Sequence, residues 1–187
     1  MKTYIIKFSE RLDMFSKFIP DIYSKSVFKI NYEKLRNSGI KCLVFDLDNT
    51  ITPVTLDRPT KRLKDLFTKL KTMGFKCIIL SNSKKKRVEK FKNDLAVDSG
   101  YSARKPSNKK YIKIMNNYNY APDEIAAVGD QLLTDVYGAN KMGFTSVLVN
   151  PMGKRDLVVS LFNRFIEKII FRSFRKRDLF IRGKYYD

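Results

Sequence analysis

Between residues 40 and 149 the sequence alternates short apolar runs of β character with amphipathic stretches of helical spacing, and this pattern most narrows what the chain can fold into. The β-type runs fall at 40–46, 75–80, 97–101, 125–128 and 145–149. Helical spacing is found over 60–73, 84–95, 108–117 and 134–142. In the first of these helices Leu63, Leu66, Phe67 and Leu70 form the apolar stripe, Pro59 precedes it and Gly74 ends it. Strands that alternate with helices predict a three-layer, Rossmann-like α/β fold around a central parallel sheet of about five strands. Ligands of such a sheet lie beyond the carboxyl ends of its strands, so the residues that close each strand carry the functional reading.

The first strand closes with Asp46-Leu47-Asp48-Asn49-Thr50. Two aspartates two residues apart at a strand end allow one to attack an electrophile while its neighbour handles protons, although Asp and Asn are also ordinary turn residues. The second strand closes with Ser81-Asn82, a later loop reads Ala103-Arg104-Lys105-Pro106, and the fourth strand closes with Gly129-Asp130, followed by Asp135. Taken singly, Ser81 and Asp130 also read as helix caps and Lys105 as a solvated base. The chain has no histidine and only two cysteines, which excludes a His general base, a His-based triad and zinc sites of the Cys/His kind. The chemistry must run on carboxylates, Lys, hydroxyls or a hard metal ion. Cys42 and Cys77 lie inside apolar strand runs, as buried free thiols of a reducing compartment do.

In this order and at consecutive strand ends, Asp46-Leu47-Asp48-Asn49-Thr50, Ser81, Lys105 and Gly129-Asp130…Asp135 resemble the four motifs of the haloacid dehalogenase superfamily of phosphohydrolases, at intervals of 35, 24, 25 and 5 residues. The resemblance implies that Asp46 is a nucleophile forming an aspartyl-phosphate, and that Asp48 protonates the leaving alcohol and then activates water. It further implies that Ser81 and Lys105 hold the phosphoryl oxygens, with Thr50 and Asn82 beside them. Mg²⁺ would be held by Asp46, the backbone carbonyl of Asp48 and Asp130, with Asp135 acting through a bound water or toward Lys105. An Asp at position 48 is the mark of the superfamily's phosphatases.

Small-metabolite members of that superfamily usually carry a cap domain after the nucleophile or between the Ser and Lys motifs. Neither gap here is long enough for one, so the expected site is open and suits a phosphate borne on a lipid, a protein or a nucleic acid. Gly39-Ile40-Lys41 leading into the first motif, Pro53 after it, Gly129-Asp130-Gln131-Leu132-Leu133-Thr134-Asp135, and Phe18-Ile19-Pro20-Asp21-Ile22-Tyr23 upstream are similar to the phosphatidylglycerophosphatase-type subfamily, subclass III A. That resemblance implies removal of the terminal phosphate of phosphatidylglycerol phosphate.

Three regions follow: a basic, aromatic segment over 1–39, a catalytic core over 40–153, and an amphipathic basic helix and tail over 154–187. Their net charges are +4, +9 and +6, and the total of +19 calls for an acidic partner such as an anionic membrane, nucleic acid or a phosphorylated substrate. Near the start, Lys7, Glu10, Arg11 and Asp13 interrupt any signal-like apolar stretch, and no run approaches a spanning helix, which together predict a cytoplasmic protein with peripheral membrane contact. Over 157–174, Val158, Leu161, Phe162, Phe165, Ile166, Ile169 and Ile170 repeat at helical spacing, with Arg164, Lys168 and Arg175 on the other side and a basic cluster over 172–177. That stripe fits either docking to a membrane surface or a partner, or packing on the domain's own core. Two rivals to the lipid reading remain at this level: a phosphatase for nucleic-acid ends or nucleotides, and a non-catalytic basic adaptor on the same fold. The run Lys84-Lys85-Lys86-Arg87 fits either the rim of the site or a solvated helix face.

Overall fold

The computed structural model describes residues 16–153, 158–177 and 179–186, without the side chains of 158–161. The expectations placed on Lys7, Glu10, Arg11 and Asp13, and on the side chains of Val158 and Leu161, lie outside the described residues. Six parallel strands form one sheet: β1 (Ile22–Ser24), β2 (Cys42–Phe45), β3 (Lys76–Leu80), β4 (Asp98–Gly100), β5 (Ile125–Gly129) and β6 (Thr145–Val149), in the spatial order β1-β6-β5-β2-β3-β4. The helices are α1 (Tyr32–Asn37), α2 (Lys61–Thr72), α3 (Lys85–Leu95), α4 (Lys109–Tyr118), α5 (Tyr137–Met142) and α6 (Val158–Lys176).

β2 lies between β5 and β3, and all four of its side chains are buried, as expected of a strand covered on both faces. Its alternation sorts the core. Leu43 and Phe45 meet Leu63, Phe67, Val88 and Phe91 of α2 and α3 on one side, whereas Cys42 and Val44 meet Tyr111, Ile114 and Ala139 of α4 and α5 on the other. Cys77 is paired in register with Leu43 and points to the α2–α3 side, so the two thiols face opposite sides of the sheet. Both are free and buried, and burial pushes each up to about 12. Local chemistry sets the helix ends: the Thr60 hydroxyl accepts from the Leu63 N–H at the start of α2, and Gly74 follows it at φ +90°, a conformation glycine adopts without strain.

The sheet has six strands rather than about five because residues before 40 contribute β1. The Asp21 carboxylate accepts hydrogen bonds from the Ser146 N–H and hydroxyl, each at 2.8 Å, which sets β1 in register on β6. The other edge of β1 is covered by the C-terminal tail, where Tyr23 and Tyr186 exchange backbone hydrogen bonds of 2.8 and 2.9 Å. The helix expected over 134–142 opens instead with a wide π-type turn over Leu132–Val136 before α5. That turn packs with Tyr23, Leu148, Ile170, Phe174 and Phe180 in a third apolar cluster, which fastens α6 to the sheet.

Among the described residues no helix is long and apolar enough to cross a membrane. α6 carries two apolar stripes. Ile170 and Phe174 are buried against the core, whereas Phe162, Phe165 and Ile169 are exposed. Phe174→Ala should therefore lower the unfolding free energy by about 3–5 kcal/mol in chemical denaturation; a variant as stable as the parent would show that α6 does not pack on the sheet.

Candidate active site

The turn that follows β2 directs the first motif. The Asp46 N–H still donates to the Val128 carbonyl at 2.9 Å, holding the residue against β5. The chain then reverses: Asn49 takes φ +63°, its N–H donates to the Thr52 carbonyl at 2.7 Å, and the Ile51 and Thr52 N–H groups return to the Leu47 carbonyl. Asn is among the few side chains that adopt this left-handed conformation readily. Asp46 and Asp48 are thereby left at the carboxyl edge of the sheet.

Lys105 reaches the same point from a loop laced to the end of β3. The Ala103 N–H donates to the Ser81 carbonyl and the Ser102 N–H to the Ser83 carbonyl. The Asn82 side chain accepts from the Lys105 N–H at 2.8 Å and donates to the Lys105 carbonyl at 3.4 Å. The Lys105 ammonium is buried and donates to Asp46 Oδ1 and Asp135 Oδ1, each at 2.6 Å. Asp135 comes from the π-type turn, and its other oxygen accepts from the Gln131 N–H. Its approach explains Gly129: a Cβ at that position would lie 2.2 Å from the Asp135 side chain.

Asp130, at the end of β5, is buried. The Thr50 hydroxyl lies 2.9 Å from Asp130 Oδ1 and 3.2 Å from Asp46 Oδ2. Arg164 of α6 donates to the Asp130 carboxylate and, at 2.7 Å, to its backbone carbonyl, while Glu167 orients Arg164 at 3.1 Å. The carboxylate of Asp48 faces another way: it accepts from Arg87 Nε at 2.7 Å and from the Ser83 hydroxyl.

Asp46, Asp130, Asp135, Lys105 and Thr50 are thus brought together, with Ser81 buried at the adjacent strand end. Thr50 and Asn82 direct their polar atoms to Asp46 and Asp130 and to the Lys105 backbone, respectively, not toward the mouth. Arg164, Arg87, Ser83 and Glu167 also belong to the site and were not singled out for it in the sequence. Arg87 sits within a run of four bases and carries no mark that separates it from the other three. Arg164 reaches Asp130 only because of how α6 docks.

Burial dominates the electrostatics. It pushes Asp46 up to about 7 against the pull of Lys105, with Asp135 and Asp130 adding to the rise. It does the same to Asp130 against the pull of Arg164. Burial alone would lower Lys105, but Asp135 and Asp46 outweigh it and hold the ammonium protonated well beyond its ordinary range. One oxygen from each of Asp46, Asp130 and Asp135 lies within 4.8 Å of the others. Lys105 and Arg164 face these carboxylates, with Glu167 also paired to Arg164, and the donor set is all oxygen. A hard divalent cation fits that set.

The family described as mitochondrial PGP phosphatase matches residues 4–152. The chain belongs to this family. It is a phosphatase, and α6, with Arg164 and Glu167, lies beyond the part that the PGP phosphatase family match covers. "Probable phosphatase YqeG" of Bacillus subtilis is 37% identical over 162 residues, covering 86% of this chain and 93% of the relative. "Phosphatidylglycerophosphate phosphatase 1, chloroplastic/mitochondrial" of Arabidopsis thaliana is 26% identical over 179 residues, covering 86% of this chain. This chain spans 46% of that plant relative's length. A predicted HAD-like family hydrolase from Porphyromonas gingivalis shares the fold at a TM-score of 0.51 and 12% identity, covering 68% of this chain and 98% of that one.

The raised carboxylates give the metal-free protein a definite pH dependence. With Asp46 and Asp130 at about 7 against an ordinary 3.8, the folded chain holds more protons than the unfolded chain between those values, so stability falls as pH rises through that window. A divalent cation binds the ionised forms and offsets the loss. Mg²⁺ should therefore raise the melting temperature more at neutral pH than near about pH 5. An equal rise at both, or none, would contradict a cation held by these carboxylates.

Proposed function

We propose that this phosphatase hydrolyses the terminal phosphomonoester of phosphatidylglycerol phosphate at a membrane surface, through covalent phosphoryl transfer to Asp46. The observation that carries the reading is the convergence of Asp46, Lys105, Asp130 and Asp135 at the carboxyl ends of β2 and β5, with Asp48 two residues from Asp46 on a separate set of partners. In the first step an Asp46 oxygen attacks phosphorus and the bond to the lipid alcohol breaks, with Asp48 delivering a proton to the departing oxygen. In the second, Asp48 takes a proton from the water that attacks phosphorus, releasing phosphate and restoring the Asp46 carboxylate. Lys105, kept charged by its two carboxylates, neutralises charge on the transferring group, and the Ser81 hydroxyl donates to it. Asp46 and Asp130, with Asp135 beside them, would hold Mg²⁺, which when bound would supply further positive charge for the transferring group. Ser83 and Arg87 fix the direction of the Asp48 carboxyl.

The family and what stands around the site support this choice of substrate. The matched family and the plant relative are both named for this lipid phosphatase activity. Between Thr50 and Ser81 the chain contains only loops, α2 and β3, and between Ser81 and Lys105 only a loop, α3 and β4. Such short connections leave the carboxyl edge open to a phosphate presented on a large surface. The net charge of +19 favours an anionic one, and the two free buried thiols fit a reducing compartment such as the cytoplasmic side.

Purified protein supplied with Mg²⁺ should release phosphate from phosphatidylglycerol phosphate in mixed micelles. Asp46→Asn should abolish that release, and Asp48→Asn should lower kcat by about 10²–10⁴-fold. Preference for 5′- or 3′-phosphorylated oligonucleotides over the lipid, or full activity in Asp46→Asn, would overturn the reading.

A further inference from the structure

Large apolar side chains are exposed on three separate segments that are hydrogen-bonded to residues of the site. Leu56 is 39% exposed, Met152 38%, Phe162 68% and Phe165 62%. Each is tied to the site by its own backbone or by a neighbour. The Leu56 carbonyl accepts from Arg87, the residue that grips Asp48. The Met152 N–H donates to the carbonyl of Asn49, in the turn of the first motif. Phe162 and Phe165 flank Asn163 and Arg164, which hydrogen-bond Gln131 and Asp130.

On α6 the exposed residues Phe162, Phe165 and Ile169 share one side at i, i+3, i+7 spacing, away from the stripe of Ile170 and Phe174 that packs on the sheet. The helix is therefore already seated on the core while a second apolar face remains outward. The exposed charges on the same side of α6 are basic, Lys168 and Arg172, and Lys84, Lys85 and Lys86 are exposed at the start of α3, directly after the Ser81 motif, with Lys85 paired to Glu89 at 3.5 Å. The acidic group next to Leu56, Asp57, is neutralised by Lys90 at 2.7 Å. Apolar side chains at a basic rim match the acyl boundary and headgroups of an anionic bilayer.

We propose that this rim is the membrane-docking face of the protein: Leu56, Met152, Phe162 and Phe165 enter the headgroup–acyl boundary of an anionic bilayer, and the flanking lysines and arginine meet its headgroups. The carboxyl edge of the sheet then faces the membrane, and the site meets its phosphate in the headgroup layer without the lipid leaving the bilayer. The proposal rests on the lipid-substrate reading and adds to it the surface and the orientation.

The chain contains no tryptophan, so a single introduced indole reports its own surroundings. Phe165→Trp should shift its emission to the blue on addition of phosphatidylglycerol–phosphatidylcholine vesicles and be quenched by brominated acyl chains. Thr68→Trp, on the exposed side of α2, should do neither. Phe162→Ser combined with Phe165→Ser should weaken vesicle binding by about tenfold or more. The same variant should leave hydrolysis of soluble p-nitrophenyl phosphate unchanged, because neither phenylalanine touches the reacting groups. Unchanged vesicle binding in the double variant, or an indole at 165 that vesicles do not affect, overturns the proposal while leaving the phosphatase intact. So does a concentration-dependent dimer that the double variant abolishes in the absence of vesicle binding, since the face then belongs to a second copy. If vesicles are bound through Phe162 and Phe165 but phosphatidylglycerol phosphate is not cleaved, the docking face stands and the substrate assignment falls.

Discussion

The buried ammonium of Lys105, shared between Asp46 and Asp135, holds the site together. Two buried carboxylates this close would otherwise repel each other and lack the solvation they had in water, a cost of several kcal/mol per ion. The ammonium offsets that cost only if its own position is fixed. That is the work of Asn82 on the Lys105 backbone, of the loop bonds to Ser81 and Ser83, and of the wide turn that delivers Asp135. A regular first turn of α5 would make a different set of backbone bonds. In the π-type turn the Asp135 and Val136 N–H groups both return to the Gln131 carbonyl, and Asp135 packs where Gly129 has no side chain. Turns of this kind are frequent at functional sites.

A second ion pair of a different character completes the charge balance. Arg164 comes from a helix outside the strand–helix alternation and neutralises Asp130 from above the sheet edge, with Glu167 buried behind it. α6 thereby has three roles on three sides: it anchors through Ile170 and Phe174, contacts the site through Arg164, and turns Phe162 and Phe165 outward. The sequence left core packing and membrane contact as alternatives for this stripe, whereas the folded helix has separate residues available for each.

Much of the architecture was legible because burial imposes a period. β6 lies over the expected residues, and α2 and α3 begin within a residue of the expected positions, α2 marked by its Thr60 cap and Gly74 and α3 by the buried stripe of Val88, Phe91 and Leu95. β1 was not legible. Three residues are too few to show alternation, and its register depends on Asp21 meeting Ser146, 125 positions away. The π-type turn was read as plain helix because side-chain periodicity does not distinguish five-residue from four-residue hydrogen bonding. At the site, Asp46, Lys105, Asp130 and Asp135 could be read from motif order at strand ends, as could the absence of a cap from the spacing. Arg164, and the choice of Arg87 over its three basic neighbours, depend on docking between distant segments and left no local trace.

The central claim is that Asp46 becomes phosphorylated during turnover, and chemical trapping tests it most directly. Borohydride added during steady-state hydrolysis reduces an acyl phosphate on an aspartate to homoserine, which peptide mass spectrometry locates. The account predicts homoserine at position 46, and only when substrate is present. Continued phosphate release with Asp46 unmodified, or homoserine at another aspartate, would contradict it.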